Sequence, residues 1–328
     1  MVVSPDFRSE PTDTAAIRGQ AVIASQLDST TNAYLRRRLP GVQVRELPGA
    51  KLPSRVHQAQ VLILRSAHRD SPVPAGWPWT LQWVQLLSSG IDAYPPWVLQ
   101  APQVTSGRGA NAEAVAEYAL AAIFAAAKQL PALWVHDDHW RFTTLAPVAG
   151  ATLGIVGFGA IGQALARKAV ALGMRVRGLG RPGYPIAEQP GVSPAANLEE
   201  LLAQADHLVL AAPLTPHTRG LIDRHALAFA KPGLHLVNVA RGALVDTPAL
   251  LEALEHGRIG RATLDVTDPE PLPSGHPLYA HPQVHVSPHT AALSTDGLNR
   301  FVDIFVDNFG RYQRGEPLLN RVDPQRGY

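Results

Sequence analysis

The sequence contains no cysteine. A disulfide framework, a thiolate nucleophile and a cysteine zinc site are therefore excluded. Charge of one sign is not in excess: 29 basic residues face 27 acidic ones, a formal net charge of +2. That balance, with no dense basic run, argues against nucleic acid or an acidic membrane surface as a partner. Lysine is scarce among the basic residues (Lys51, Lys128, Lys168 and Lys231), a bias that carries no functional reading. No apolar run reaches the ~18 residues that would span a membrane. The opening stretch MVVSPDFRSEPTDTAAIRGQ lacks the hydrophobic core of a signal peptide and reads as a short polar tail. A soluble, cytoplasmic protein is the expectation. Internal repeats and low-complexity segments are missing too.

What is present is an ordinary globular balance, 46% hydrophobic and 17% charged, rather than a disordered one. The 328 residues suffice for two domains with a sizeable core. AVIASQLD at 21–28 predicts a buried strand, TTNAYLRRRL a helix, and VQVREL, QVLILRS and LQWVQLLSSG three further strands. A helix is expected over 111–130, NAEAVAEYALAAIFAAAKQL, ending at Pro131. It is rich in alanine and apolar on most of its surface, so broad burial is expected, in part against another subunit. A second strand series follows: ATLGIVGFG, MRVRGLG, HLVLAAP, GLHLVNVA, RATLDV and VHVSPH. Six strands match a doubly wound dinucleotide domain. A last helix is expected through DGLNRFVDIFVDNFGRYQRG, and the prolines gather in loops such as SPVPAGWPW and DPEPLPSGHP.

Within LGIVGFGAIGQALARKAVALG, Gly157, Gly159 and Gly162 stand in G-x-G-x-x-G spacing, after an apolar strand and before a helix. The first glycine permits the tight turn. The second lets the backbone approach a pyrophosphate, and the third lets helix and strand pack closely. The helix N-terminus, at Ala160 and Ile161, then faces the anion. One element of the usual signature is missing. The acidic residue that holds the adenosine ribose should follow roughly 20 residues on, yet RVRGLGRP at 175–182 offers Gly180 and Arg181 and no carboxylate.

Five segments in order, GIVGFGAIGQ, AAPLTPHTRGLID, VNVARGALVDTPAL, LDVTDPEPLP and SPHTAALS, together with SSGID, AVAEYAL and GEPLLN, resemble the D-isomer-specific 2-hydroxyacid dehydrogenases. The resemblance covers almost all of the chain after its N-terminal tail. It implies an α/β fold of two doubly wound parallel-sheet domains. A Rossmann dinucleotide domain (110–295) would be inserted into a flavodoxin-like substrate domain (1–109 and 296–328), with substrate in the cleft between them. It also implies a homodimer, with the 111–130 helix in its interface.

The chemistry expected of such a protein is reduction of a 2-oxo acid. It requires a proton donor working near neutral pH, a cation for the carboxylate and a nicotinamide against the carbonyl carbon. His289, in SPHTA, matches the family's catalytic histidine, and imidazole is suited to give and take a proton at working pH. Glu270, in DPEP, matches its acidic partner; a carboxylate there argues against the formate-oxidising branch, which carries an amide. Arg241, in NVARG, matches the substrate arginine, whose planar fork binds carboxylate oxygens in a way lysine cannot. By the same resemblance Ser88, Ser89 and Gly90 offer backbone N–H groups to the substrate carboxylate. Ala212, Pro213 and Thr218 line the cofactor, Val239 and Ala240 form the turn below the nicotinamide, and Asp265 contacts its carboxamide. Other histidines, including His136 and His139 in WVHDDHW, are expected to be structural or exposed, and HDDH fits no zinc spacing.

NAD-dependent relatives place an aspartate where this chain has Gly180. Without it a 2′-phosphate is not repelled, and Arg181 can pair with one. NADP(H) is therefore the expected cofactor, NAD(H) the second choice. The leading expectation is an NADPH-dependent reductase of glyoxylate, hydroxypyruvate or a similar 2-oxo acid, giving the D-2-hydroxy acid. A bulkier 2-oxo acid stays open, since pocket size depends on the surroundings of Arg65 and Ser66. Two alternatives resemble other family branches: a dinucleotide-sensing corepressor that binds peptides, and a phosphite oxidiser.

Overall fold

The computed structural model describes residues 21–47, 56, 58–65, 69–140, 142–181, 183–324 and 326. The polar tail expected before residue 21, and Ser66, lie outside the described residues. The chain divides into two compact units, Met1–Gly107 with Leu298–Val322, and Arg108–Gly297 with Asp323–Tyr328.

The first unit holds five parallel strands: β1 (Val22–Ser25), β2 (Gln43–Glu46), β3 (Val61–Leu64), β4 (Trp83–Leu86) and β5 (Val104–Thr105). Their order is β2-β1-β3-β4-β5, the flavodoxin-like arrangement. β3 and β4 are buried along their whole length, which is why VLIL and WVQL read as continuous runs rather than alternating ones. Helix α1 (Ser29–Arg38) starts at Asp28, whose carboxylate accepts the Thr31 N–H at 2.9 Å, and ends in Arg36–Arg37–Arg38, cations at the negative end of its dipole.

The C-terminal helix (Gly297–Gln313) returns to this unit. Phe301, Phe305 and Phe309 recur every fourth residue and are fully buried. Phe305 stacks on Trp83 of β4 with centroids 4.9 Å apart. Each buried phenylalanine contributes about 1.5–3 kcal/mol. Trp83 also donates to Thr105 Oγ1 at 2.7 Å, and Thr105 donates to Gln85 Oε1 at 2.7 Å, so the polar edge of this core is satisfied.

The second unit opens with α2 (Ala112–Ala127), slightly shorter than the expected 111–130. Eight of its residues are buried, several against Leu153 and Ile155 of β6 (Thr152–Val156) and Ala164 and Leu165 of α3 (Ala160–Ala171). This unit alone therefore accounts for much of the helix's apolar surface. The chain continues through β7 (Arg175–Leu179), β8 (Val192–Pro194), α4 (Leu198–Gln204), β9 (His207–Leu210), α5 (Arg224–Ala228) and β10 (Leu234–Asn238). It ends with α6 (Thr247–Glu255), β11 (Ile259–Leu264), α7 (Pro277–Ala280) and β12 (Val284–Val286).

The seven strands are parallel throughout, in the order β12-β11-β10-β9-β6-β7-β8. This is the doubly wound dinucleotide order extended by one strand. Six strands were expected, and β8 was not among them; by position β12 is the added strand. The β8 residues Val-Ser-Pro supply one apolar side chain and a proline, a composition typical of an edge and too short to show periodicity. Among the described residues no helix is long and apolar enough to cross a membrane.

Candidate active site

In the second sheet the strand order reverses between β6 and β9. Ligands of open α/β sheets bind outside the carboxyl ends of the strands at such a point. The glycine turn lies there, and its three glycines have three different reasons. Gly157 has φ +94°, and a Cβ on it would lie 2.5 Å from the Ala212 backbone nitrogen, at the exit of β9. Gly162 sits over the turn, where a Cβ would meet the Gly157 carbonyl oxygen at 2.3 Å. Gly159 differs: a Cβ there would meet no protein atom within 4 Å. Packing does not demand that glycine; the close approach of a ligand to the backbone would. Gly159 also caps α3, which has neither a side-chain cap nor an acidic residue in its first turn. The first N–H groups of the helix, at Ala160, Ile161 and Gly162, are thus suited to an anion. The residues present fit the diphosphate of a dinucleotide.

At the exit of β7, Gly180 is closely covered. A Cβ on it would come within 2.8 Å of Ile186 Cγ2 and 3.3 Å of the Tyr184 carbonyl oxygen. Ile186 therefore occupies the room that a side chain at this position would need. Arg181 is exposed, and its guanidinium carbon lies 3.5 Å from the centroid of the Tyr184 ring, a cation–π contact that holds the charge beside the turn.

Beyond β9, Ala212 is buried and Thr218 folds back on the loop. Its Oγ1 donates to the Pro213 carbonyl at 2.7 Å and accepts the Thr215 N–H at 2.8 Å. The Thr218 hydroxyl therefore shapes the loop that includes Pro213. Beyond β10, Val239 and Ala240 are buried, and Asn238 braces the turn from within: its Oδ1 accepts the Ala240 N–H at 3.1 Å and its Nδ2 donates to the Arg241 carbonyl at 2.9 Å. Arg241 donates from its guanidinium to the Ala240 carbonyl at 2.7 Å. The next residue must be glycine, since a Cβ on Gly242 would lie 1.9 Å from the Thr267 carbonyl carbon. That contact sets the Arg241 turn directly against the loop leading to Glu270.

Glu270 and His289 leave neighbouring strands, β11 and β12, and meet at 2.6 Å between Oε1 and Nδ1. Both side chains remain over 40% exposed, so the pair is accessible to a ligand. Glu270 Oε2 also lies 3.4 Å from the Thr267 N–H. His289 adopts φ +51°, a region a non-glycine residue rarely enters. It is held there from below. Its own N–H donates to the Asp265 carbonyl at 2.8 Å. The Asp265 carboxylate accepts from Ser287 Oγ at 2.6 Å, the Thr290 N–H at 2.9 Å and the Ala291 N–H at 2.9 Å. Tyr118 of α2 lies 2.6 Å from Ser287 Oγ. Ser287 Oγ spends its one proton on Asp265, so Tyr118 donates to Ser287. Burial pushes the Tyr118 phenol above its ordinary range.

Asp265 is only 2% exposed, and its carboxylate serves the loop that carries His289. Asn238, Ser287 and Tyr118 were not singled out from sequence. Ser287 shares the SPHTA motif with His289, and Tyr118 lies in AVAEYAL, one of the segments that carry the family resemblance.

Ser88, Ser89 and Gly90 lie in the first unit, at the exit of β4. Ser88 Oγ donates to the Gly90 carbonyl at 2.6 Å, and its own carbonyl accepts the Gly107 N–H at 2.9 Å. Ser88 Oγ is also 3.2 Å from Tyr94 Oη, which donates to the Arg65 carbonyl at 3.1 Å. The turn is thereby tied to the exit of β3, with Ser89 exposed at its tip. Among the described residues, the one group of clustered ligand types suited to a metal is Asp137, Asp138 and His139, all exposed.

Fold order, glycine turn and acid–histidine pair together define a doubly wound dinucleotide-binding protein. Residues 120–291 match the family model for the D-isomer specific 2-hydroxyacid dehydrogenase, NAD binding domain. The chain is 36% identical to D-3-phosphoglycerate dehydrogenase of Mycobacterium tuberculosis over 298 residues, 85% of its own length and 54% of the relative's. It is 36% identical to glyoxylate reductase of Aeropyrum pernix over 235 residues, 67% of this chain and 69% of that one. Among solved structures, a D-isomer specific 2-hydroxyacid dehydrogenase from Xanthobacter autotrophicus Py2, in complex with NADPH and MES, matches with a TM-score of 0.77. It is 29% identical, with 94% of this chain and 99% of that chain covered. The protein belongs to the D-isomer-specific 2-hydroxyacid dehydrogenase family. It spans about half the length of the curated phosphoglycerate dehydrogenases it matches.

Proposed function

We propose that the protein reduces a small 2-oxo acid, glyoxylate, hydroxypyruvate or a similar compound, to the D-2-hydroxy acid with NADPH. The observation that carries this reading is the 2.6 Å pair of His289 and Glu270, on a loop abutting the Arg241 turn through Gly242. Bound at the glycine turn, the nicotinamide cofactor supplies the hydride. The chain's own residues do the rest. Arg241 pairs with the substrate carboxylate and stabilises charge growing on the carbonyl oxygen. His289 gives the proton from Nε2 to that oxygen while Glu270 accepts the Nδ1 proton in a hydrogen bond. Glu270 thereby fixes which ring nitrogen faces the substrate. Ser88, Ser89 and Gly90 take the substrate carboxylate by backbone N–H groups. In the reverse direction His289 accepts the hydroxyl proton.

The preference for NADPH rests on two features: the missing acid after β7 and the guanidinium of Arg181 held over Tyr184. Arg181 pairs with the 2′-phosphate. The reading extends to a cytoplasmic homodimer in which α2 forms part of the contact. Steady-state kinetics on a panel of 2-oxo acids, each with NADPH and NADH, test it directly. Turnover of glyoxylate or hydroxypyruvate with higher kcat/KM for NADPH is expected. No turnover of any 2-oxo acid would sink the enzymatic reading, and a clear preference for NADH would sink the cofactor reading alone.

A further inference from the structure

The proposed active site uses the carboxyl ends of the second sheet. At the amino ends of the same strands lies a separate cavity of about 610 Å³, a size suited to small molecules. Its floor includes His207 of β9 and His235 of β10, 8% and 3% exposed. Their Nδ1 atoms are 3.1 Å apart, so one donates and the other accepts, and the two rings share a single proton there. His235 Nε2 is engaged with Thr263 Oγ1 at 3.0 Å. Burial keeps both rings neutral, pushing His235 down to about 3 and His207 down as well. The remaining ring nitrogen, His207 Nε2, makes no hydrogen bond among the described residues and is open to solvent at the cavity wall.

The charges around the cavity are also unequal. Lys231 Nζ pairs with Asp206 Oδ1 at 2.5 Å, and Asp206 Oδ2 accepts the Thr152 N–H at 2.8 Å. The one carboxylate that lines the cavity is thus fully engaged. Arg261, on β11, donates to His285 Nε2 at 3.1 Å, a neutral acceptor that leaves the guanidinium charge unmatched. Among the described residues Arg261 forms no ion pair. The rest of the wall is small and apolar, with Ala127, Ala149, Pro232 and Leu234 among its residues.

We infer that this cavity is a second ligand site, taking a small organic oxyanion: a carboxylate or phosphate head on a compact apolar body. Arg261 and Lys231 receive the head, His207 Nε2 makes the neutral polar contact, and the alanine and proline wall takes the body. The site lies a full strand length from Arg241 along the neighbouring β10, so its occupant regulates or stabilises the unit rather than entering the reaction.

Isothermal titration of the full chain with benzoate and with phenyl phosphate, at fixed ionic strength, tests this. Benzyl alcohol serves as the neutral control. One saturable site per chain is expected for at least one anion, and the tighter of the two identifies the head group. Arg261→Gln should weaken binding about tenfold or more, with Lys231→Gln as a second variant read in the same way. Arg241→Gln should leave it unchanged. The inference is overturned if neither anion saturates, if benzyl alcohol binds as well, if both Arg261→Gln and Lys231→Gln bind as the wild type does, or if Arg241→Gln abolishes binding.

Discussion

His289 Nδ1 lies 2.6 Å from Glu270 Oε1 while the His289 backbone is held at φ +51°. A strained backbone at a residue whose side chain is paired and accessible is the pattern expected when geometry, not packing, selects the residue. His289→Ala should lower kcat by about 10²–10⁴-fold, the usual worth of general acid–base catalysis. Glu270→Gln keeps the shape and loses the charge, so kcat should fall with KM for the 2-oxo acid little changed. A near-wild-type rate in His289→Ala would falsify the assignment.

Arg241 should behave differently, because it is assigned both to binding and to the developing charge. Arg241→Ala is expected to raise KM for the 2-oxo acid and to lower kcat as well. Arg241→Lys should recover little, since lysine lacks the planar fork. Initial-rate measurements over a range of substrate concentrations separate the two effects. A change confined to KM would remove the role in charge stabilisation.

Asp265 acts on the reaction through the loop it holds. Its carboxylate takes three hydrogen bonds from residues 287, 290 and 291, and Tyr118 reaches it through Ser287. Asp265→Ala leaves the buried Ala291 N–H and the half-buried Ser287 and Thr290 donors without their acceptor, which costs about 1–3 kcal/mol for a buried group left unpaired. Tyr118→Phe removes one outer hydrogen bond and should reduce kcat only a few-fold, with a fall in melting temperature of a few degrees. If Tyr118→Phe lowers neither kcat nor the melting temperature, the chain from α2 to the His289 loop carries no weight.

Much of this was legible in sequence. The glycine spacing, the buried strands and the order of the family segments point to two parallel α/β domains, and the same segments contain Arg241, Glu270 and His289. The brief polar strand β8 was not legible, because Val192–Pro194 has no periodicity to read. Nor was the packing of Ile186 over Gly180, a tertiary contact between residues that pattern alone leaves in a loop. The neutral His207–His235 pair was invisible for the same reason: its members belong to two different strands, and only the sheet register brings them together.

Gly180 and Arg181 make separate predictions for the cofactor. Arg181→Ala should raise KM for NADPH while leaving that for NADH nearly unchanged, which paired kinetics would read. Gly180→Asp should not by itself produce an NADH enzyme, because the new side chain must displace Ile186 from 2.8 Å. Adding Ile186→Ala gives it room, and the double variant should shift preference toward NADH further than either change alone. Equal effects of the single and double variants would show that the Ile186 contact does not control this turn.

The buried histidine pair predicts how stability depends on pH. His235 is pushed down to about 3 in the folded chain, whereas an unfolded histidine titrates near its ordinary value of about 6.5. Below pH ~6.5 the unfolded chain therefore binds a proton that the folded one refuses. Stability contributed by neutral His235 is fully present above that pH. It is lost as the pH falls toward about 3, by about 1.4 kcal/mol per pH unit. His207, also lowered by burial, adds in the same direction. Urea midpoints measured between neutral pH and the acid side of this window should fall steadily in the wild type. His235→Gln, which hydrogen-bonds but does not titrate, should flatten that slope by about one proton's worth, roughly 1.4 kcal/mol per pH unit. A slope identical in both proteins would mean that His235 takes up its proton without cost in the folded state.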